Sequence, residues 1–169
     1  MSKFLLVDDD PSLLKALRIG LTARGDEVLT AHTGAEAVNQ VALALPDLVI
    51  LDLGLPDIDG IEVCRRIRTF SSVPIVVLSA YGDERRKVEA LDGGADDFVT
   101  KPFGMAELEA RLRVALRHSA ARHADGAEPS QELDVGRGIH ALLDVQRATG
   151  PVGQAVALRK SHVEETFDQ

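Results

Sequence analysis

An α/β protein, with a parallel sheet covered by helices on both faces, is the fold this sequence predicts. Three observations point to it. Short apolar runs alternate five times with segments of helical period across residues 1–118, the alternation that builds parallel sheets. The runs Phe4–Val7, Leu48–Leu51 and Pro74–Leu78 are apolar almost throughout rather than at every second residue, as strands buried on both faces are. Polar residues able to do chemistry recur where those runs end, and open α/β sheets keep their functional crevice there.

Each element has its own justification. Phe4–Val7 is the first strand. Asp10-Pro11 then supplies an N-cap and a first helical residue, and Leu13, Leu14, Leu17 and Leu21 follow at helical spacing until Gly25. Glu27–Ala31 is a second strand, and Gly34–Ala44 a helix that Pro46 stops. Leu48–Leu51 leads into an acidic Pro/Gly loop and a helix over Ile61–Phe70. Pro74–Leu78 is the fourth strand and Asp83–Leu91 the fourth helix; a short fifth strand, Asp97–Thr100, precedes a closing helix over Met105–Arg117. Residues 1–118 thus form one domain, 119–130 an Ala/Gly/Pro-rich linker, and 131–169 a tail with short strands at Leu133–Val135, Leu142–Val145 and Val156–Leu158.

Bulk properties exclude several function classes. The net charge is −8, of which residues 1–118 carry −5 (19 acidic, 14 basic) and residues 119–169 carry −3 (8 acidic, 5 basic). Neither part has the basic face that binding a phosphate backbone needs. The single Cys64 forms no intrachain disulfide, and its place in a helical apolar run marks it as a buried structural thiol. Met1–Val7 reaches three aspartates too soon for a signal peptide, and no apolar stretch approaches the roughly 20 residues of a membrane span. A soluble cytoplasmic protein is expected. His118, His123, His140 and His162 lack metal-ligand spacing.

The chemistry gathers around Asp52, which ends the third strand. Asp8 and Asp9 follow the first strand, Ser79 the fourth and Lys101 the fifth. Scattered in sequence, they become neighbours in a parallel sheet. Clustered carboxylates suit Mg2+, a hard cation that takes oxygen ligands, and the metal relieves their mutual repulsion. Asp52 is then a nucleophile for phosphorus, Lys101 and Mg2+ neutralise the transferred charge, and the Ser79 hydroxyl bonds a phosphoryl oxygen. Gly54 can offer its carbonyl to the metal. Taken alone, Asp8–Asp10 could simply cap the first helix and Lys101-Pro102 could be a solvated turn. Five such positions at the ends of four strands argue for a phosphoryl-accepting site.

Those residues carry a resemblance. Leu6-Val7-Asp8-Asp9-Asp10, Leu51-Asp52-Leu53-Gly54-Leu55-Pro56-Asp57, Leu78-Ser79-Ala80 and Gly94–Phe103 resemble the motifs of bacterial response regulator receiver domains over residues 3–118. The strings Ile50–Asp57 and Lys87–Asp97 are most similar to KdpE-like potassium-response regulators of the winged-helix (OmpR-like) class. The resemblance implies a flavodoxin-like receiver with strand order 2-1-3-4-5, phosphorylated on Asp52 by a sensor histidine kinase. It implies Mg2+ held by Asp8, Asp9, Asp52 and Gly54, and a cis Lys101–Pro102 peptide. It also implies a switch in which Ser79 moves inward and the Phe98 ring follows, reshaping the face of the fourth helix, fifth strand and fifth helix.

In the winged-helix class that face makes a symmetric homodimer. The resemblance supplies the charge partners Lys87 with Glu107, Asp97 with Arg111 and Asp92 with Arg113, around an apolar centre of Val88, Leu91 and Ala110. The competing reading is an ordinary salt-bridged surface, since exposed pairs contribute little. Tyr81, two residues past Ser79, is expected to flank the path of attacking water with Gly54 and to slow hydrolysis of the phosphoaspartate.

The resemblance fades after residue 118. Only 51 residues of the 169 remain, enough for a degraded opening sheet with a hairpin at 150–158 and the start of a helix at 157–167, but for no basic recognition helix. The expectation is a phospho-switch whose output domain is truncated or frameshifted, or replaced by an unrelated short tail, with DNA binding not expected. The alternative is a DNA-binding transcriptional regulator of the KdpE/OmpR type with a truncated effector. An enzyme is disfavoured beyond weak autophosphatase activity. Haloacid-dehalogenase-type phosphatases need a second aspartate where Gly54 stands, and no Walker-type motif is present.

Overall fold

The structure, a computed structural model, describes residues 1–80 and 82–124, without the side chain of His123. The expectations for Tyr81, and for strands, hairpin and helix beyond residue 124, lie outside the described residues. Five strands, β1 (Lys3–Val7), β2 (Glu27–Ala31), β3 (Leu48–Asp52), β4 (Ile75–Ala80) and β5 (Asp97–Lys101), alternate with five helices. The helices are α1 (Pro11–Thr22), α2 (Gly34–Ala44), α3 (Gly60–Arg68), α4 (Glu84–Asp92) and α5 (Met105–Ala124). The sheet is wholly parallel in the order β2-β1-β3-β4-β5, as expected from the alternation and the resemblance.

Strand alternation divides the core in two. Val49, Leu51, Ile75 and Val77 pack on one face with Val38, Val63, Ile67 and Ala90 of α2, α3 and α4. Leu48, Ile50, Val76, Leu78 and Val99 pack on the other with Leu14, Leu17, Leu108 and Leu112 of α1 and α5. Strands apolar on both sides need cover on both sides, and the βα connections supply it. Cys64 is fully buried, and burial pushes its thiol up to about 12, so it is a packing residue at neutral pH.

Helix ends follow local side-chain chemistry. Asp10 caps α1 by accepting the Ser12 N–H at 2.9 Å, and Pro11 opens the helix. Asp59 and Asp83 cap α3 and α4, so Asp83, expected as the first residue of its helix, stands just outside it. α3 stops at Arg68, two residues before the expected end at Phe70. β4 runs to Ala80 rather than Leu78.

The larger departure is α5, which continues to Ala124 through Ser119–Ala124, where a linker was expected to start. Alanine and arginine are strong helix formers, and four of those six residues are Ala or Arg. A composition that resembles a linker is here a helical extension. Arg122 Nη2, near its end, donates to Asp96 Oδ1 at 3.1 Å.

Candidate phosphoryl-acceptor site

The register brings the expected site together. Val7 pairs with Leu51 and Asp52 with Leu78, while Ser79 and Ala80 pair with Thr100 and Lys101. The carboxyl ends of β1, β3, β4 and β5 therefore stand side by side. Asp52 and Lys101 share the alternation of Ile50 and Val99, so both lie on the α1/α5 side, and Asp8 continues the same side from Leu6. Ser79 and Phe98 alternate with Val77 and belong to the opposite side.

Lys101 is the hub of the cluster. Its ammonium donates to Asp8 Oδ2 and Asp52 Oδ1, each at 2.9 Å. Burial works to lower its pKa, but the hydrogen bonds and charges of Asp8 and Asp52 outweigh that, and the pKa lies above its ordinary value. Asp8 and Asp52 are buried (2% and 8% exposed), whereas Asp9 faces solvent. The three residues can present carboxylate oxygens all within 4.8 Å of one another. Three acidic groups this close, two of them buried against one ammonium, retain excess negative charge, and this oxygen-only donor set fits a hard divalent cation.

The acidic triplet Asp8–Asp10 divides its labour. Asp10 caps α1, while Asp8 turns one oxygen to the Asp10 N–H at 2.8 Å and the other to Lys101. Capping and site-building coexist within three residues. The second Asp52 oxygen accepts the Gly54 N–H at 2.9 Å, which fixes the orientation of the carboxylate. A Cβ on Gly60 would lie 2.5 Å from the Asp52 carbonyl oxygen and 2.7 Å from Leu53 Cα. Glycine there lets the loop fold back against the strand end.

Ser79 is buried, and its hydroxyl reaches Val99 O at 3.5 Å, the long limit of a hydrogen bond. Phe98 is half-buried, with the Lys87 ammonium 5.0 Å from its ring centroid. The Lys101–Pro102 peptide is cis. On the expected dimer face the ion pairs close within one chain. Lys87 bonds Glu84 at 2.7 Å, and Arg111 bonds Asp97 at 3.1 Å and Glu107 at 3.4 Å. Within this chain Lys87 contacts Glu84, whereas the expected Lys87–Glu107 pairing is one between two copies. Val88 and Leu91 of α4 are exposed (59% and 40%) and Ala110 of α5 is half-buried; Asp92 and Arg113 are exposed.

Several supporting residues escaped the sequence reading. Asp57 accepts the Gly34 and Ala35 N–H groups at 2.7 and 2.9 Å, which ties the loop after Asp52 to the start of α2. Burial works to raise its pKa, but those backbone bonds prevail and hold it below the usual value. Asp59 caps α3 and also pairs with Arg86 of α4 at 2.6 Å. At the other end of the sheet Arg68 bonds Gly94 O, Ser71 O, Val73 O and Asp96. Their partners lie about 20 or more residues away or in loops, beyond any local pattern.

Comparison with known proteins agrees with this fold. Residues 4–113 match the response regulator receiver domain. The chain belongs to that family. The chain is 53% identical over 134 residues to the transcriptional regulatory protein KdpE of Mycobacterium tuberculosis, covering 79% of this chain and 59% of that protein. It is 50% identical over 126 residues to the KDP operon transcriptional regulatory protein KdpE of Escherichia coli, covering 74% and 56%. The chain therefore spans less than two thirds of the length of these relatives. Among solved structures, a response regulator from Chloroflexus aurantiacus aligns with a TM-score of 0.66 at 38% identity, over 69% of this chain and 98% of that one. The BeF3-activated receiver domain of Klebsiella pneumoniae RstA aligns at 0.65 and 35% identity, over 68% and 98%. Two-component signalling is thus the setting of this receiver. Among the described residues no helix is long and apolar enough to cross a membrane.

Proposed function

We propose that Asp52 is the phosphoryl acceptor of this receiver and that its donor is a phosphohistidine on a sensor histidine kinase. The observation that carries this reading is the Lys101 ammonium held 2.9 Å from both Asp52 and Asp8, with Asp9 close by. An Asp52 carboxylate oxygen attacks phosphorus, a P–O bond forms, and the P–N bond breaks with its electron pair returning to the imidazole. Lys101 follows the charge onto the phosphoryl oxygens. Gly54 N–H keeps the second carboxylate oxygen in place. Asp8, Asp9, Asp52 and the Gly54 carbonyl would hold Mg2+, which when bound supplies charge neutralisation at the transferred group. The chain acts as substrate and switch, with at most weak autophosphatase activity.

The output follows from the switch pair. Ser79 gives up its long contact to Val99 O for a phosphoryl oxygen, and Phe98 follows inward. The face of α4, β5 and α5 then pairs with a second copy about a two-fold axis, around Val88, Leu91 and Ala110. Residues 1–118 are the receiver proper, with residues 119–124 extending its last helix, in a cytoplasmic protein. A second reading, a transcriptional regulator of the KdpE type, is favoured by the names of the relatives. A gel shift with the phosphorylated chain tests it, and sequence-specific DNA binding would establish it.

The central claim is tested by incubating the chain with Mg2+ and a small acyl phosphate and reading intact mass. Wild type should gain one phosphoryl group and Asp52→Asn none. An adduct that persists in Asp52→Asn, or none in wild type, refutes the assignment.

A further inference from the structure

The Lys87 side chain is only 8% exposed, although it lies on the face expected to pair with a second copy. Two groups of its own chain hold it there, Glu84 Oε1 at 2.7 Å and the Phe98 ring at 5.0 Å. The carboxylate expected to receive it across a dimer, Glu107, is occupied by Arg111 at 3.4 Å. Pairing through these charges is therefore an exchange of partners, and Lys87 must leave both Glu84 and the ring to take part.

We infer that Glu84 and the Phe98 ring form an intrachain latch on Lys87, and that the inward move of Phe98 releases the ammonium to the partner subunit. This rests on the phospho-switch proposed above. A cation over an aromatic face is attracted to the ring quadrupole. Once the ring leaves, Lys87 retains, among the described residues, Glu84 alone, whose side chain is 80% exposed and whose attraction water and salt screen. Glu84 thus becomes a positioning residue. It favours the monomer while Phe98 faces outward and yields when the ring turns in. The same two-state element then reads both phosphorylation and surface charge. Arg111 fits this exchange, since its Nε lacks a hydrogen-bond partner among the described residues despite its two carboxylate neighbours.

The test measures self-association of the full chain by sedimentation, with and without Mg2+ and acyl phosphate. Glu84→Gln should tighten the unphosphorylated dimer by about three- to tenfold, because a two-fold dimer counts each lysine twice. The phosphorylated dimer should change by less than about twofold. In a Lys87→Gln background the Glu84 substitution should have no effect, as a coupling cycle requires. Unchanged association of unphosphorylated Glu84→Gln, or tightening that persists without Lys87, overturns the latch. Intact mass separates the layers: a missing Asp52 adduct in wild type refutes the underlying switch, while an intact adduct with unaltered association refutes the latch alone.

Discussion

The side chains of Asp8 and Asp52 are 3% and 12% exposed and share one ammonium at 2.9 Å, whereas those of Glu84, Glu107 and Arg111 on the α4–β5–α5 face are 80%, 50% and 38% exposed at similar distances. Identical chemistry has different consequences in the two places. In the crevice a lost partner strands a buried charge, which costs several kcal/mol, so the arrangement must persist. On the face water screens each pair to about 1 kcal/mol or less, so partners exchange readily. A receiver needs both behaviours. The site must hold still enough to do chemistry, and the face must rearrange when the site changes.

The largest expected effect breaks the crevice. Lys101→Met should slow phosphorylation of Asp52 by about 10²–10³-fold, the usual cost of one preorganised donor to developing charge; a rate within about threefold of wild type would remove Lys101 from the chemistry. The same variant has a signature in stability. Because the folded pKa of Lys101 is raised, its contribution is complete below the unfolded value of about 10.4 and is lost as pH rises through the folded one. Urea titrations above about pH 10 should show a flatter alkaline decline for Lys101→Met.

Next in size is Gly60→Ala, whose methyl meets backbone on two sides. It should destabilise the fold by about 1–3 kcal/mol in urea melts, as overpacking does, and displace Asp52 with it. A neutral result would mean that the strand end yields more than the comparison allows. Arg111→Gln probes the other region. Monomer stability should shift by no more than about 0.5 kcal/mol, while association of the phosphorylated chain weakens about tenfold, measured by light scattering. A large loss of monomer stability would erase the distinction between crevice and face.

The smallest effect concerns Asp57. Its folded pKa is depressed, so its contribution is present above the unfolded value near 3.9 and lost as pH falls through the folded one. Asp57→Asn should lower stability slightly at neutral pH and flatten the acid limb below about pH 4. An unchanged acid limb would show that the tie between the loop and α2 contributes nothing.

How much of this was legible in the sequence varies by residue. Asp8, Asp9, Asp52, Ser79 and Lys101 were legible because each terminates an apolar run, and strand ends converge in a parallel sheet whatever the loops do. Asp57 was not, because its partners Gly34 and Ala35 lie 23 and 22 residues away and no period links a loop to the start of an earlier helix. The end of α5 was misplaced because an Ala/Arg-rich stretch suits a helix as well as a linker, and contact with Asp96 through Arg122 comes from elsewhere in the fold.

By itself the sequence determined the alternation of elements, the apolar strands with their two-sided core, and the set of polar groups at the sheet's carboxyl edge. These depend on local periodicity and on the geometry of any parallel sheet. Only the tertiary structure decided which groups from separate elements belong together: Lys101 with Asp8 and Asp52, Asp57 with the start of α2, and Lys87 with Phe98. Pairing depends on distance and burial, and those exist only once separate elements have packed.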